Sequence, residues 1–270
     1  MQNHPRPVMI SVAPNGARVR TTDHPLVPVS PAAIAATVAE CMRAGASIAH
    51  LHARAPDGSP THDIEIFREI VAHVREQADI VLQLSLGTRG FTADQAVEPL
   101  ALSPEMVSLP LRLDGPNPAD AKATIRAMAQ KVTASSAVAE MSVYDEAMLD
   151  TALELVDEGD VLGPLCFGLV LGEPTSFEAG ARKLMDLVAR LPTNAHWWCL
   201  KGGRYQLELR ALSIALGGHV RIGFEDSVLD FDGREQAPDN AYLVRRMVQL
   251  CNALGRPVAT AGQTRAMLGL

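Results

Sequence analysis

Eight short apolar runs, each followed by a longer amphipathic stretch, alternate along the 270 residues of this chain, and nothing else in the sequence constrains the fold as tightly. The apolar runs are Pro7–Pro14, Ser47–Ala53, Asp79–Leu86, Met106–Leu111, Ala137–Tyr144, Val161–Leu171, Asn194–Lys201 and Gly218–Glu225. Helical periodicity falls between them, at Pro31–Ala44, Asp63–Gln77, Thr92–Leu100, Pro118–Gln130, Asp145–Glu158, Ser176–Arg190, Arg204–Leu216 and Asn240–Leu254. Punctuation agrees with this division. Ser30-Pro31 offers an N-cap followed by proline at the first helical position, Gly45 ends that helix, and Gly217-Gly218 stops the seventh. Strands that alternate with helices build a parallel sheet, and eight such units at this length predict one closed (β/α)8 TIM barrel, an α/β fold occupying residues 1–270 as a single domain. The fourth and sixth strands are interrupted by Pro110 and Pro164, a residue type that cannot donate to a ladder.

Composition excludes several function classes. A net charge of −7 without basic clusters argues against nucleic-acid binding, and 4% aromatic content leaves few stacking platforms. No apolar segment is long enough to span a bilayer, and Met1–Arg6 lacks the apolar core of a signal peptide. Four scattered cysteines, Cys41, Cys166, Cys199 and Cys251, read as buried thiols of a cytoplasmic protein. Trp197-Trp198 suits either an interface or a buried strand.

Within the second run, His50 and His52 lie two residues apart and point to one side, away from Ala49, Leu51 and Ala53. Paired imidazoles suit a divalent metal, zinc first, or else form a hydrogen-bonded core pair. A barrel gathers function at the carboxyl ends of its strands, where both histidines lie. The eighth run, His219-Val220-Arg221-Ile222-Gly223-Phe224-Glu225, alternates polar and apolar and ends with Glu225 at the same rim. Strands two and eight contribute to the same interior layers, so His50, His52 and Glu225 face one point and describe a metal centre with open positions. Glu225 as a solvated rim carboxylate, or as the ion-pair partner of Arg221, is the alternative. On the third strand Gln83 and Ser85 share the inward face, and Ser85 leads into a glycine-containing turn through Gly87 and Thr88.

Several further blocks join these: Asn15-Gly16-Ala17, Asp23-His24-Pro25, Ala44 to Arg54, Asp57-Gly58 with Pro60, Pro104-Glu105-Met106, Val143-Tyr144-Asp145, Gly202-Gly203-Arg204, Ala215 to Asp226, and Leu254 to Thr260. In these blocks the chain resembles the beta-keto acid cleavage enzymes, metal-dependent acyl transferases on a (β/α)8 barrel. The resemblance covers nearly the whole sequence. It implies zinc at His50, His52 and Glu225, acetyl-CoA as co-substrate, and conversion of a 3-oxo acid to acetoacetate and a new acyl-CoA. It implies Asp226 as general base, Arg221 as the arginine that orients it, and Ser85 as a hydrogen-bonding partner of the substrate. A homotetramer is implied as well.

The chain departs from the family pattern around the pocket. Ser85-Leu86-Gly87-Thr88 stands where the family has Ser-Thr-Gly-Gly. Ser108 to Asp114 replaces small polar residues with Pro110, Arg112 and Leu113. Ser142 stands in place of a second glutamate, Asp145-Glu146-Ala147 in place of Asp-x-Gly, and Arg18 where members differ in charge. Gly87, Thr88, Arg18 and Arg112 are therefore expected to meet the substrate, the two arginines favouring an anionic tail. Lys201 and Arg204, after the seventh strand, are expected to meet CoA phosphates. Amidohydrolases also use His-x-His in a barrel, but they need histidines from the middle strands, and none lies between His73 and His196. A metal-dependent aldolase or retro-aldol lyase working without CoA is the alternative enzyme, and a silent acid-binding barrel the alternative non-enzyme.

Overall fold

Eight parallel strands close into a barrel in sequence order: β1 (Ile10–Val12), β2 (Ile48–Leu51), β3 (Val81–Ser85), β4 (Met106–Pro110), β5 (Val138–Val143), β6 (Cys166–Val170), β7 (His196–Leu200) and β8 (His219–Ile222). Closure is made by β1 against β8, with Ser11 opposite Arg221. The computed structural model describes residues 6–113 and 118–270; Met1–Pro5 and Asp114, both used in the sequence reading, lie outside the described residues. The helices are α1 (Pro31–Ala44), α2 (Ile64–Gln77), α3 (Ala93–Val97), α4 (Pro118–Ala134), α5 (Glu146–Asp157), α6 (Phe177–Ala189), α7 (Gln206–Ala215), α8 (Asn240–Ala253) and α9 (Ala261–Leu268). Ser30 accepts from the Ala33 amide and Asp63 from the Glu65 amide, so both caps do what their residue types allow. No helix among the described residues is long and apolar enough to cross a membrane.

Alternation along each strand sorts the side chains. Val8, Ile10, Val12, Ala49, Leu51, Leu82 and Leu84 pack outward in one apolar cluster with α1, α2 and α8, and Val107, Leu109, Met141, Phe167 and Leu169 in a second. The inward positions form tiers. The floor is apolar: Met9, Ile48, Val81, Met106, Val138, Cys166 and Trp198 cluster with Leu268 of α9. Two residues further along six of the eight strands the interior turns polar, with Ser11, His50, Gln83, Ser108, Glu140 and Arg221 all buried, while Gly168 and Leu200 fill the same tier on β6 and β7. A barrel interior is ordinarily filled by branched aliphatics, so this polar tier is the first structural sign of a site.

The structure shifts several expected boundaries. β6 starts at Cys166, after Pro164 rather than across it, and Pro110 ends β4, where a missing amide costs the ladder least. Trp197 and Trp198 are both buried, which settles them as strand residues. α9 is absent from the sequence reading, although Thr260 and Gln263 form a reciprocal capping box at its start. All four cysteines are free, buried thiols.

Candidate metal centre and the cavity beside it

His50 is the last inward residue of β2, while His52 lies one residue past the strand end rather than within it. Glu225 is likewise not a strand residue, because β8 stops at Ile222. The chain turns at Gly223, whose φ of +145° strains any L side chain and whose Cβ would lie 2.2 Å from the Ala13 carbonyl oxygen. The Glu225 amide then donates to that carbonyl at 3.1 Å, hanging the residue over the barrel mouth. His52 is steadied from the other side, its carbonyl accepting from Asn15 Nδ2 at 3.0 Å. Arg54, buried, ties the same loop down by donating to the carbonyls of Asn15, Gly16, Val19 and Gly58.

Three potential ligand atoms converge here. His50 Nε2 lies 3.1 Å from His52 Nε2, and Glu225 Oε2 lies 3.4 Å from the first and 3.5 Å from the second. A tetrahedral zinc with bonds of about 2.0–2.2 Å separates its ligand atoms by roughly 3.3–3.5 Å, so both separations to Glu225 match one ion and the imidazoles, at 3.1 Å, need open only slightly. Glu225 Oε2 is buried and accepts no hydrogen bond from the protein, an orphaned acceptor of the kind an ion satisfies. Among the described residues this is the cluster of histidine, cysteine or acidic side chains able to hold a metal. Burial pushes the His50 imidazole down to about 3, with Glu225 opposing, so it is neutral near pH 7. Burial also opposes ionisation of Glu225, yet Arg221 and the two imidazoles hold its carboxyl well below the usual range.

Arg221 organises the acids behind the centre. Its Nη2 donates to Glu225 Oε1 at 3.2 Å and to Asp226 Oδ1 at 2.6 Å, and its Nε donates to Asp226 Oδ2 at 3.2 Å. The alternatives of ion-pair partner and metal ligand for Glu225 are thus compatible, one oxygen serving each. Although burial works against its charge, Asp226 and Glu225 raise the Arg221 pKa above its ordinary value.

A cavity of about 250 Å³ opens beside the triad, and Arg221, Glu225, His50 and His52 form part of its wall. Ser85, Gly87, Thr88, Arg18 and Arg112 line it as well, together with Arg89 and Tyr144, to which the sequence reading gave no role. Asp226 is not on the wall; it sits behind the Arg221 fork. Ser85 Oγ accepts from the Gly87 amide at 3.2 Å, and His62 Nε2 lies 2.7 Å from the Gly87 carbonyl oxygen, so the turn after β3 is pinned at both ends. Lys201 does not reach the cavity. Its side chain is fully buried and its ammonium donates to Glu173 at 3.3 Å and to the Gly202 carbonyl, stapling the β6–α6 loop to β7. Arg204 is exposed and packs over the Tyr205 ring. Glu140 of β5, buried in the polar tier, received no role in the sequence reading; its sequence signal is a lone carboxylate on the inward phase of an apolar strand.

A profile describing beta-keto acid cleavage enzymes matches residues 7–270. The chain belongs to that family. It is 35% identical over 269 residues to a 3-keto-5-aminohexanoate cleavage enzyme of Fusobacterium nucleatum subsp. nucleatum, covering 97% of this chain and 98% of the relative. It is 33% identical over 276 residues to a 3-oxoadipate:acetyl-CoA acetyltransferase of Cupriavidus necator, covering 98% of this chain and 95% of the relative. Among solved structures, a ternary complex of ObcA with a C4-CoA adduct and oxalate superposes with a TM-score of 0.77 at 20% identity, over 91% of this chain and 68% of that one. That likeness establishes the barrel. Membership of the family makes this chain an enzyme of keto-acid cleavage.

Proposed function

We propose that this chain exchanges acyl groups between a 3-oxo acid and acetyl-CoA, giving acetoacetate and a new acyl-CoA, with one divalent ion, zinc in the first instance, at His50, His52 and Glu225. The reading is carried by one observation: three ligand atoms spaced for a single ion on the wall of a cavity, in a member of this family. When bound, the metal polarises the ketone of the chelated acid. Ser85 hydrogen-bonds that acid, with Gly87 and Thr88 framing it. Asp226 accepts the proton from the carbon between the two carbonyls. Because Asp226 stands behind Arg221, this transfer requires the guanidinium fork to turn, and the fork orients the carboxylate until it does. The resulting carbanion attacks the acetyl carbonyl and releases CoA thiolate. The thiolate then attacks the ketone of the original acid, the bond between its second and third carbons breaks, and the proton returns to form acetoacetate. In this reading exposed Arg204 meets a CoA phosphate, with Lys201 holding the neighbouring loop.

We further propose that the preferred acid has an anionic tail. The relatives' names span an amino-bearing tail and a second carboxylate at nearly equal identity to this chain, so relatedness does not choose between them. The cavity does offer a choice. Arg18, Arg89 and Arg112 line it, all three are exposed, and among the described residues none forms an ion pair. Glu225 is the one described carboxylate on that wall, and its charge is engaged by the centre. The test is metal analysis of the purified protein followed by a panel of 3-oxo acids, each with and without acetyl-CoA. About one divalent ion per chain and turnover only with the thioester are expected. Turnover without it makes the chain an aldolase or lyase, and inertness of the metal-loaded protein across the panel removes the proposal.

A further inference from the structure

A buried hydrogen-bonded chain runs from the centre into the barrel. His50 Nδ1 lies 2.8 Å from Gln83 Oε1, and Gln83 Nε2 donates to Glu140 Oε2 at 3.1 Å. All three side chains are buried, on three different strands. Their chemistry fixes the direction of each bond. A carboxylate only accepts, so the amide NH2 of Gln83 faces Glu140 and its carbonyl faces His50. A carbonyl also only accepts, so His50 carries its proton on Nδ1 and keeps the Nε2 lone pair free. With the amide reversed, NH2 would meet Nδ1 and the imidazole proton would move to Nε2. That proton would then point at His52 and Glu225, and the nitrogen would be lost as a ligand.

The barrel makes room for this carboxylate where an apolar side chain is the ordinary filling. Gly168 of β6 lies directly against it: a Cβ there would sit 2.6 Å from Glu140 Oε1. Oε1 itself has no hydrogen-bond partner. A buried carboxylate with half its acceptors unmet adds little stability, and its replacement by a packed apolar residue is often neutral or stabilising. Its presence therefore calls for a role other than packing.

We infer that Glu140, acting through Gln83, is a positioning residue that holds His50 as the Nδ1–H tautomer and so keeps Nε2 ready for a metal ion. The inference rests on the reading of His50, His52 and Glu225 as a metal centre. Interactions of this kind behind a ligand are worth about 10–100-fold in metal affinity. Two measurements on the full chain test it. In the metal-free wild type, long-range ¹⁵N–¹H correlations of the histidine rings, with His50 assigned by His50→Gln, should show the Nδ1–H form. In Glu140→Gln, whose amide can donate or accept, the Nε2–H form should appear, and zinc affinity by chelator competition should fall about 10–100-fold with far-UV circular dichroism unchanged. Gly168→Ala, which presses on Oε1, should shift both readouts the same way. An Nε2–H tautomer in the wild type overturns the inference, and that measurement decides it even where the variants do not fold. A folded Glu140→Gln protein with wild-type tautomer and affinity overturns it too. Should the wild type bind no zinc, the metal reading fails, while the tautomer still reports on the relay.

Discussion

Arg18 and Arg112 face the same cavity as the metal triad, and among the described residues neither forms an ion pair. A guanidinium left without a carboxylate on a cavity wall is set up for paired, charge-assisted hydrogen bonds to an incoming anion. Such bonds to charged groups are worth about 1.5–3 kcal/mol, or roughly 10–100-fold in binding. Replacing Arg18 or Arg112 by alanine should therefore raise KM for a dicarboxylic 3-oxo acid by about that factor, while KM for a neutral-tailed acid and for acetyl-CoA changes little. Steady-state kinetics with the three substrates checks this. An equal rise for both acids would mean that the arginines act on the shared carboxylate end. A rise confined to acetyl-CoA would assign them to phosphate. Lys201 makes the opposite case at the same scale. It has the right charge and the right place in the sequence, but its ammonium is already committed to Glu173, and residue type alone does not reveal that.

At the level of the element, β8 and its exit turn decide whether the centre exists. Gly223 carries the chain from a strand that ends at Ile222 to a carboxylate that must hang over the mouth, in a conformation L residues rarely adopt and with the Ala13 carbonyl 2.2 Å from any added Cβ. Strained backbone of this kind costs about 1–3 kcal/mol, and the clash adds to it. Gly223→Ala should lower unfolding free energy in urea by at least about 2 kcal/mol and weaken zinc binding in whatever fraction folds; unchanged affinity would show that Glu225 does not depend on this turn. The same element shows what the sequence could and could not express. Alternation through Arg221 marked the inward face correctly, because period two is a local property of a strand. The run was read on through Glu225 because the polar and apolar pattern continues past the true end, across a glycine. His52 lies past its strand in the same way. The position of Glu140 beside Gln83 was illegible for a different reason. Alternation says that it points inward, but the tier it occupies, opposite Ser108 and Cys166 and within reach of Gln83, follows from the register of the closed barrel. α9 could have been found from its capping box, since Thr260 and Gln263 are three residues apart.

For the whole molecule, the unusual quantity is how many imidazoles the barrel keeps neutral. Burial pushes His50 down to about 3 and His219 well below its ordinary 6.5, and it lowers His62 and His196 as well. Each of these groups binds a proton more readily in the unfolded chain than in the folded one. Stability is then complete above the unfolded value of 6.5 and is lost as pH falls below it, continuing toward about 3 for His50. Glu140 works in the opposite sense. Burial raises its carboxyl, so its cost appears as pH climbs past 4.5, one group against four. The carboxyl of Glu225, held well below 4.5, loses its contribution only under more acid conditions and does not enter the comparison above that value. The fully buried pair His50 and His219 alone sets an upper limit on the order of 2–3 kcal/mol per pH unit at pH well below 6. Metal-free protein should therefore unfold at a clearly lower urea midpoint at pH 5.5 than at pH 7.5, with the slope of the transition unchanged. The metal-loaded protein should lose more over the same interval, because protons compete with the ion for the same nitrogens. A midpoint that is flat or rises on acidification would mean that these imidazoles are hydrated in the folded chain, and the closed polar tier beneath the centre would have to be abandoned with them.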